Sequence, residues 1–316
     1  YTISVTVSDM KGGTVTKTQS VTVNDPLENW TQRSSGTTAD LLDIATDGTK
    51  LVAVGTDDGT YRISSDSGAT WSGGTVNNNL YLRGIVWDGS QFLAAGQDYD
   101  FGASAGWRGV IYTSPDGNNW TERYFGGPQL RDIATSGGVH VAVGDDGTIW
   151  RSTNGSSWNP IPSGTSTNLR GVSYGSGGFV AVGSAGNGGS GVVLKSTDGS
   201  AWNDTSSGAS LASWQGFYDV QYCNDRFLAS GWYSKIRHSS NGGATFTTTR
   251  PITEQIPAFA YGNGVYFAAG EETPDFDVSY IRNLISTDGE TWTALSTNAT
   301  QNLRNSAIFF GDTFIT

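Results

Sequence analysis

The sequence predicts an all-β fold, a seven-bladed β-propeller built from four-stranded blades. Three observations support this prediction. A short phrase recurs six times, the copies are separated by about the length of four short strands, and glycine-containing turns divide each repeat. The 316 residues include 44 glycines. No helical period of 3.6 residues competes with the strand-like patterns.

The recurring phrase holds a serine, an acidic or amide residue two positions later, a glycine and an aromatic residue. The six copies are SSDSGATW (64–71), SPDGNNW (114–120), STNGSSW (152–158), STDGSAW (196–202), SSNGGATF (239–246) and STDGETW (286–292). Their final aromatic residues, such as Trp71, Trp120 and Trp158, are 38 to 49 positions apart. Trp30 lies 41 residues before Trp71 and extends the series to seven blade ends.

One repeat shows the order of strands within a blade. In LRDIATSGGVHVAVGDDGTIWRSTNGSSWNPI (130–161), four β-rich runs are separated by GG, DDGT and TNGS. Asp-Gly and Asn-Gly turns favour hairpins because these residues tolerate a positive φ. The repeat is therefore predicted to be an up-and-down meander of four strands.

The phrase itself is predicted to be structural. A serine followed two positions later by Asp or Asn can bond the backbone N–H groups of the turn. Asn154 and Asn241 take the acidic position in two copies, and an amide cannot serve as a general acid. The predicted structural positions are Asp66, Asp116, Asn154, Asp198, Asn241 and Asp288.

The pattern S/T-x-D-(x)-G-x-x-W resembles the Asp-box of sialidases, of some propeller glycoside hydrolases, of sortilin-type receptors and of the photosystem II assembly factor family. The resemblance covers about residues 29–316. It implies a propeller fold. It leaves the function open, because these families include enzymes, receptors and chaperones.

The two ends of the chain predict a second domain and the closure of the ring. Residues 1–26 read as two alternating strands and resemble the C-terminal hairpin of a polycystic-kidney-disease or cadherin-like domain, an Ig-like β-sandwich. Residues 27–316 form the propeller, with the last blade, begun at Leu303, incomplete. The N-terminal strand around Trp30 is expected to be the outer strand of that blade, and the chain to be a piece of a longer multidomain protein.

Composition limits the classes of partner. Lys and Arg number 18 against 29 Asp and Glu, giving a net charge of −11, which argues against nucleic acid. No apolar run is long enough to span a membrane. Cys223 is the only cysteine, so an internal disulfide and a cysteine-based metal site are excluded. The abundance of Gly, Ser, Thr and Asn is typical of an extracellular or cell-surface bacterial protein.

Long insertions predict a ligand-binding face. Turns after strands two and four share the end of the propeller opposite the recurring phrase, and there 97–109, 206–218, 230–235 and 271–283 are enriched in aromatic and acidic residues. Aromatic rings stack on sugars while carboxylates accept hydroxyl protons. Tyr99, Phe101, Asp277 and Tyr280 belong to these insertions; the candidate ligand-binding residues are Trp107, Trp214, Trp232, Tyr233, Asp98, Asp100, Glu271, Glu272 and Asp275. Alternatively, the loops are only solvated and their aromatic residues pack on one another.

A cofactor is not expected. A calcium ion in DYDFG (98–102) or EETPDFD (271–277) is an alternative, since oxygen-rich loops suit hard cations, but neither has the spacing of an EF-hand.

Arginines recur where the innermost strands begin. The four are Arg83, Arg131, Arg170 and Arg304. They are predicted to surround the channel mouth and to hold a carboxylate, sulfate or phosphate group. In the alternative, each pairs with a nearby acid such as Asp43, Asp132 or Asp219. Resemblance to the assembly factors implies a third role, in protein docking.

The function predicted from these features is an extracellular binding or adhesion module, without catalysis, that recognises a glycan or a protein. One alternative is a polysaccharide-degrading enzyme, with Glu271 or Asp275 opposite Asp98 or Asp100 as its carboxylate pair. The Arg-Ile-Pro signature of sialidases is absent from the sequence. A structural role in an extracellular fibre or sheath is the other alternative.

Overall fold

The computed structural model describes residues 2–8, 14–20, 31–102, 106–185, 191–209, 216–231, 235–249, 258–275, 278–281, 283–295 and 306–316. For 2–8, 14–20, 235, 271–275 and 278–281 it describes the backbone alone. The chain divides into two compact units, Tyr1–Gln32 and Arg33–Thr316.

The first unit contains an antiparallel hairpin of β1 (Thr2–Ser8) and β2 (Thr14–Ser20). Thr2 pairs with Ser20 and Ser8 with Thr14. This agrees with the two alternating strands expected there. The Ig-like sandwich around them stays a prediction.

The described residues of the second unit form six four-stranded antiparallel sheets, which are blades one to six. Blade one consists of β3 (Leu41–Thr46), β4 (Leu51–Gly55), β5 (Tyr61–Ser64) and β6 (Ser72–Gly74). Blade two consists of β7 (Leu80–Trp87), β8 (Phe92–Asp100), β9 (Gly106–Ser114) and β10 (Thr121–Gly126). Blade three consists of β11 (Leu130–Ser136), β12 (Val139–Gly144), β13 (Ile149–Ser152) and β14 (Asn159–Pro160). Blade four consists of β15 (Asn168–Gly175), β16 (Gly178–Ser184), β17 (Gly191–Ser196) and β18 (Asn203–Asp204). Blade five consists of β19 (Phe217–Cys223), β20 (Arg226–Gly231), β21 (Lys235–Ser239) and β22 (Thr247–Thr249). Blade six consists of β23 (Ala258–Gly262), β24 (Val265–Ala269), β27 (Leu284–Ser286) and β28 (Thr293–Ala294).

Three smaller features complete the described structure. Between the second and third strands of blade six, β25 (Glu271–Asp275) pairs with β26 (Val278–Ile281). Two 3-10 turns, Asp145–Gly147 and Ser206–Ala209, lie in connections. A final hairpin pairs β29 (Ile308–Phe310) with β30 (Thr313–Ile315).

The count of seven blades is corrected to six four-stranded blades and one two-stranded hairpin. Residues 306–316 supply only the two strands of the hairpin, and the strand expected around Trp30 lies outside the described residues. The hairpin nevertheless lies between blades six and one. Phe314 is 5.1 Å from Phe267 of blade six, between ring centroids, and β29 also contacts β3 of blade one.

Each blade is held between its neighbours by a buried second strand. All five residues of β4 are buried, as are all seven of β16. A strand covered on both faces reads as a continuous apolar run because neither face meets water. The first strands of successive blades contact one another in order around the ring and surround a central channel.

The six turns that follow the third strands, called box turns, share one hydrogen-bonding scheme. The glycine N–H donates to the serine hydroxyl at 2.8–3.0 Å, for example Gly117 to Ser114. The acidic or amide residue accepts backbone N–H groups, as Asp116 does from Asn118 and Asn119, both at 2.8 Å. In the first four blades the tryptophan Nε1–H donates to the glycine carbonyl, as Trp120 does at 3.0 Å.

The box turn also packs on the preceding blade. Gly117 has φ +78°, and a Cβ there would lie 2.6 Å from a methyl carbon of Val52 in blade one. Glycine is therefore required both for the left-handed backbone and for close approach. Hydrogen bonds from Thr70 and Ser64 lower the pKa of the Asp66 carboxyl to about 2, and backbone donors lower that of Asp116 further. These carboxylates are ionised acceptors that stabilise turns.

Candidate functional site

The central channel contains a cavity of about 560 Å³. Its walls come from the first strands of all six blades and from the start of the final hairpin. Charged residues lie at two levels along these walls. One level is a set of three half-buried aspartates, and the other is a set of arginines nearer one mouth.

The three aspartates, Asp43, Asp132 and Asp219, occupy equivalent positions in blades one, three and five. Asp43 accepts hydrogen bonds from the N–H of Ile44 at 2.8 Å and from that of Ile85, in blade two, at 2.7 Å. Asp132 likewise accepts from its own strand and from blade four. The carboxylates therefore join the first strands of different blades.

Glycines in the alternate blades make room for these carboxylates. A Cβ on Gly84 would lie 2.8 Å from an oxygen of Asp132, and one on Gly171 would lie 2.7 Å from an oxygen of Asp219. From blade one to blade five, the residue at this position of the first strand is therefore Asp, Gly, Asp, Gly and Asp in turn. A carboxylate from one blade fills the space that the glycine of its neighbour leaves empty.

Burial raises the pKa values of these aspartates. It raises the pKa of Asp43 to about 6 and that of Asp219 to about 7. Burial, and then the like charges of Asp219 and Asp43, raise the pKa of Asp132 well above its usual range. The three carboxyls therefore share a structural role and a pKa raised in the same direction.

The arginines occupy β-bulges. In blades two, three and four the pairing of the first two strands skips one residue, and the skipped residues are Arg83, Arg131 and Arg170. In blades one and five the skipped residues are Leu42 and Tyr218. A bulge redirects a side chain away from the regular alternation of a strand, and all five of these side chains line the cavity. The LRG and LRD signals of the sequence are thus bulge signals.

We define the arginine rim as Arg83, Arg131 and Arg170. Its members differ in whether an acidic side chain pairs with the guanidinium group. Arg131 forms a two-point ion pair with Asp145, with Nη2 and Oδ2 2.9 Å apart. Arg83 donates from Nε to the amide oxygen of Gln97 at 3.0 Å. Among the described residues, neither Arg83 nor Arg170 has a carboxylate within ion-pair distance.

Arg170 is the least compensated member of the rim. Its guanidinium carbon lies 6.0 Å from the ring centre of Tyr218, and its Nε is buried without a hydrogen-bond partner in the described part of the chain. Burial, and then the charge of Arg131, lower the pKa values of both Arg170 and Arg83. Among the described residues, the acid that pairs with a rim arginine is Asp145, and no ion pair joins the rim to Asp43, Asp132 or Asp219.

The rim lies at the end of the channel opposite the box turns. Asp145 belongs to the turn after the second strand of blade three, and Gln97 lies in the second strand of blade two, near its end. Those are the ends at which the insertions were expected. Arg304, the fourth arginine of the predicted set, lies outside the described residues.

The predicted ligand-binding residues are only partly brought together. Trp107 packs on Tyr81 at 5.0 Å and on Tyr99 at 5.3 Å, measured between ring centroids. Asp98 is buried, with 7% of its surface exposed, and accepts a hydrogen bond from the Asn77 amide at 3.4 Å. It is therefore not a free carboxylate beside Asp100.

The remaining candidates are less defined. Asp100 accepts the N–H of Gly102 at 2.7 Å and lies 3.9 Å from Arg108, so it stabilises its own loop. Glu271, Glu272 and Asp275 lie in β25, whose backbone alone is described. Trp214, Trp232 and Tyr233 lie outside the described residues.

The described residues contain neither a clustered metal site nor a membrane-spanning helix. No group of three or more His, Cys, Asp or Glu side chains is arranged to hold a metal ion there. A calcium site in either acidic insertion stays a prediction. Within that same part of the chain, no helix is long and apolar enough to cross a bilayer.

Six four-stranded meandering sheets surround the channel, and this arrangement identifies the architecture. The chain is a β-propeller. Among solved structures it is similar to YCF48 bound to D1 peptide, with 18% identity, a TM-score of 0.59 and 82% of each chain covered. It is also similar to YCF48 from Cyanidioschyzon merolae, with 15% identity, a TM-score of 0.59, and 87% of this chain and 91% of that chain covered.

A third similar structure is the WD40 β-propeller domain of Doa1, with 14% identity, a TM-score of 0.59, and 87% of this chain and 88% of that chain covered. At these identities the similarity shows the fold alone. No protein-family model and no curated protein matches the chain.

Sequence reasoning missed several residues of this site. Asp145, Gln97, Tyr81 and Tyr218 form the surroundings of the arginines, yet none was singled out. A signal for Tyr218 was present, because it follows an apolar residue and precedes an aspartate, much as Arg170 follows a leucine and precedes a glycine. The partners Asp145 and Gln97 come from other strands, so their contacts depend on tertiary structure.

Proposed function

We propose that this propeller is a binding module that docks an acidic polypeptide segment at the arginine rim. The observation that carries the proposal is the pair of guanidinium groups, on Arg83 and Arg170, that lack an ion-pair partner in the described structure. A ligand carboxylate would supply the missing charge. Arginine suits this role because its planar group binds a carboxylate through two parallel hydrogen bonds.

The surroundings of the arginine rim strengthen the attraction between an arginine and a ligand carboxylate. The rim residues are half-buried in a concave channel mouth, where charge interactions are screened less than on an open surface. The chain as a whole carries a net charge of −11. An acidic ligand is therefore repelled by most of the surface and attracted at the rim, which favours specific over diffuse binding.

The similar propeller YCF48, solved with a D1 peptide bound, supports a peptide as the kind of partner. A glycan has less support. Trp107, the candidate tryptophan of the described residues, already stacks on Tyr81 and Tyr99, which leaves less of its ring for a sugar. An adhesive role outside the cell stays a prediction from composition.

The proposal is tested with a dye-labelled hexa-aspartate peptide, followed by fluorescence anisotropy. We expect saturable binding that weakens when salt is raised from 50 to 200 mM, because charged contacts are screened. Arg170→Gln and Arg83→Gln should each weaken binding about tenfold, the loss expected for one charge-assisted contact.

Arg123→Gln is the matched control. Arg123 lies on the outer strand of blade two and donates from Nε to the Thr113 hydroxyl at 2.8 Å, so the variant makes the same change of charge away from the rim. It should bind the peptide as the parent does. Equal weakening in all three variants, or no binding to the parent, would contradict the proposal.

A further inference from the structure

Blade two carries an extension that the other described blades lack in this form. Its second and third strands each run for nine residues, whereas those of blade three run for six and four. The extra pairs are Asp98 with Arg108, Tyr99 with Trp107 and Asp100 with Gly106. The strands therefore continue past the blade as a hairpin, called the blade-two arm (97–102 and 106–109).

Aromatic side chains form a continuous row along the arm. Tyr81 at its base contacts Trp107 at 5.0 Å, Trp107 contacts Tyr99 at 5.3 Å, and Tyr99 contacts Phe101 at 4.8 Å, all between ring centroids. The last two contacts have an edge-to-face geometry, with interplanar angles of 83° and 62°. Such contacts favour defined relative positions of neighbouring rings.

The row ends in an exposed phenylalanine. Phe101 has 72% of its surface exposed, and the other exposed large apolar side chain of the described residues is Phe125 at 44%. The exposed ring of Phe101 rests on Tyr99, which is only partly buried itself. An exposed apolar tip supported by packed aromatic rings has the form of an interface anchor.

The base of the arm adjoins the arginine rim. Tyr81 and Arg83 are two positions apart on β7. Gln97, at the start of the arm, pairs with Tyr81 in the sheet and accepts the hydrogen bond from Arg83. The aromatic row and the positive rim are thus parts of one continuous surface.

We infer that the blade-two arm binds an aromatic or aliphatic side chain of the same segment whose acidic residues occupy the arginine rim. This inference rests on the proposed function and defines the partner further. Tyr81 is two residues from Arg83, and Phe101 is four residues from Gln97. An extended partner segment rises by about 3.3 Å per residue, as a β-strand does, so it covers the same separations with the same number of residues. The partner therefore carries its apolar residue two to four positions from its acidic residues.

The test compares two dye-labelled peptides of equal charge on the full chain: Asp-Asp-Asp-Gly-Gly-Phe and Asp-Asp-Asp-Gly-Gly-Gly. The phenylalanine peptide should bind about tenfold more tightly, the effect of one well-placed aromatic contact. Phe101→Ala should remove most of that gain while leaving the affinity of the glycine peptide unchanged. Since Phe101 is exposed, this variant should fold as the parent does.

Phe125→Ala is the matched control, because it removes the other exposed phenylalanine of the same blade. It should keep the tenfold gain. Equal affinity for the two peptides, or a gain that survives Phe101→Ala, would overturn the inference and leave the proposed function standing, provided that Arg170→Gln still weakens both peptides. If neither peptide binds the parent chain, both proposals are wrong.

Discussion

The hydroxyl of Ser306 donates a hydrogen bond of 2.6 Å to Oδ1 of Asp43, across 263 residues of sequence. Ser306 begins the final hairpin and Asp43 lies in the first strand of blade one, so this bond joins the two ends of the ring. Its acceptor is one of the three half-buried channel aspartates that hold the first strands together. Closure of the ring and protonation of the channel are therefore coupled.

Replacement of Ser306 by alanine should weaken that closure. Asp43 would keep its two backbone donors but lose one hydroxyl, and the free energy of unfolding should fall by about 1–2 kcal/mol at pH 8. The loss should be smaller at pH 5, where the carboxyl is protonated and needs fewer donors. Urea denaturation at the two pH values measures it.

The control for this variant is Ser90→Ala. Ser90 donates its hydroxyl to Asp88 at 2.8 Å in an exposed turn of blade two, so the same kind of bond is removed where water can replace it. Its effect should be a few tenths of a kcal/mol at both pH values. Equal losses in the two variants would show that the Ser306 bond does not close the ring.

The channel aspartates predict a pH dependence of stability. Because burial raises the pKa of Asp219 to about 7, its contribution is fully present below the unfolded pKa of about 4 and is lost as pH rises through 7. Asp219→Asn should remove about 2 kcal/mol of this dependence between pH 5 and 8. The amide oxygen can still accept the N–H of Val220. Chemical denaturation across that range measures the difference.

The comparison must be made between variant and parent. Burial lowers the pKa values of His140 and His238, so their contribution rises with pH over part of the same range. The Asp116 carboxylate, with a lowered pKa, changes stability only at more acidic pH. A parent and an Asp219→Asn variant with the same pH dependence would mean that Asp219 is ionised throughout.

The box turns predict a graded response to substitution. Asn154 and Asn241 already serve in two blades, so Asp116→Asn should cost little, whereas Asp116→Ala removes an acceptor for two backbone N–H groups. The alanine variant should lose about 1–2 kcal/mol, similar to the loss of a helix cap. Thermal denaturation of both variants measures this. An asparagine variant as unstable as the alanine variant would indicate that the charge, rather than the turn, is needed.

The glycines between the aspartates predict a packing penalty. Alanine at position 171 would place a Cβ 2.9 Å from the backbone nitrogen of Val220, in addition to its contact with Asp219. Overpacking of this kind should cost about 1–3 kcal/mol. Urea denaturation of Gly171→Ala measures it, and a neutral result would mean that blades four and five can separate without penalty.

The repeats were predictable because turn residues act locally. The serine of each box turn bonds residues within four positions of itself, so the pattern and its hydrogen bonds are both contained in the phrase. The arginine positions were also found from sequence, although not the reason for them. Their bulges arise from pairing with the second strand, which a single strand does not reveal.

The parts that sequence could not supply depend on contacts between blades. The alternation of aspartate and glycine requires knowing that first strands are neighbours, and the burial of Asp98 requires knowing that Asn77 lies beside it. The seventh blade was predicted by counting aromatic residues, but a tryptophan such as Trp30 can mark a blade end only if four strands are present. The structure has a two-stranded hairpin at that place in the ring.

Binding at the arginine rim is tested most directly by NMR of the arginine Nε–H groups during addition of the hexa-aspartate peptide. The signals are assigned through Arg83→Gln, Arg170→Gln and Arg123→Gln. We predict that the Arg83 and Arg170 signals shift together and saturate, while that of Arg123 stays in place. Unchanged signals from Arg83 and Arg170 at saturating peptide would contradict this prediction.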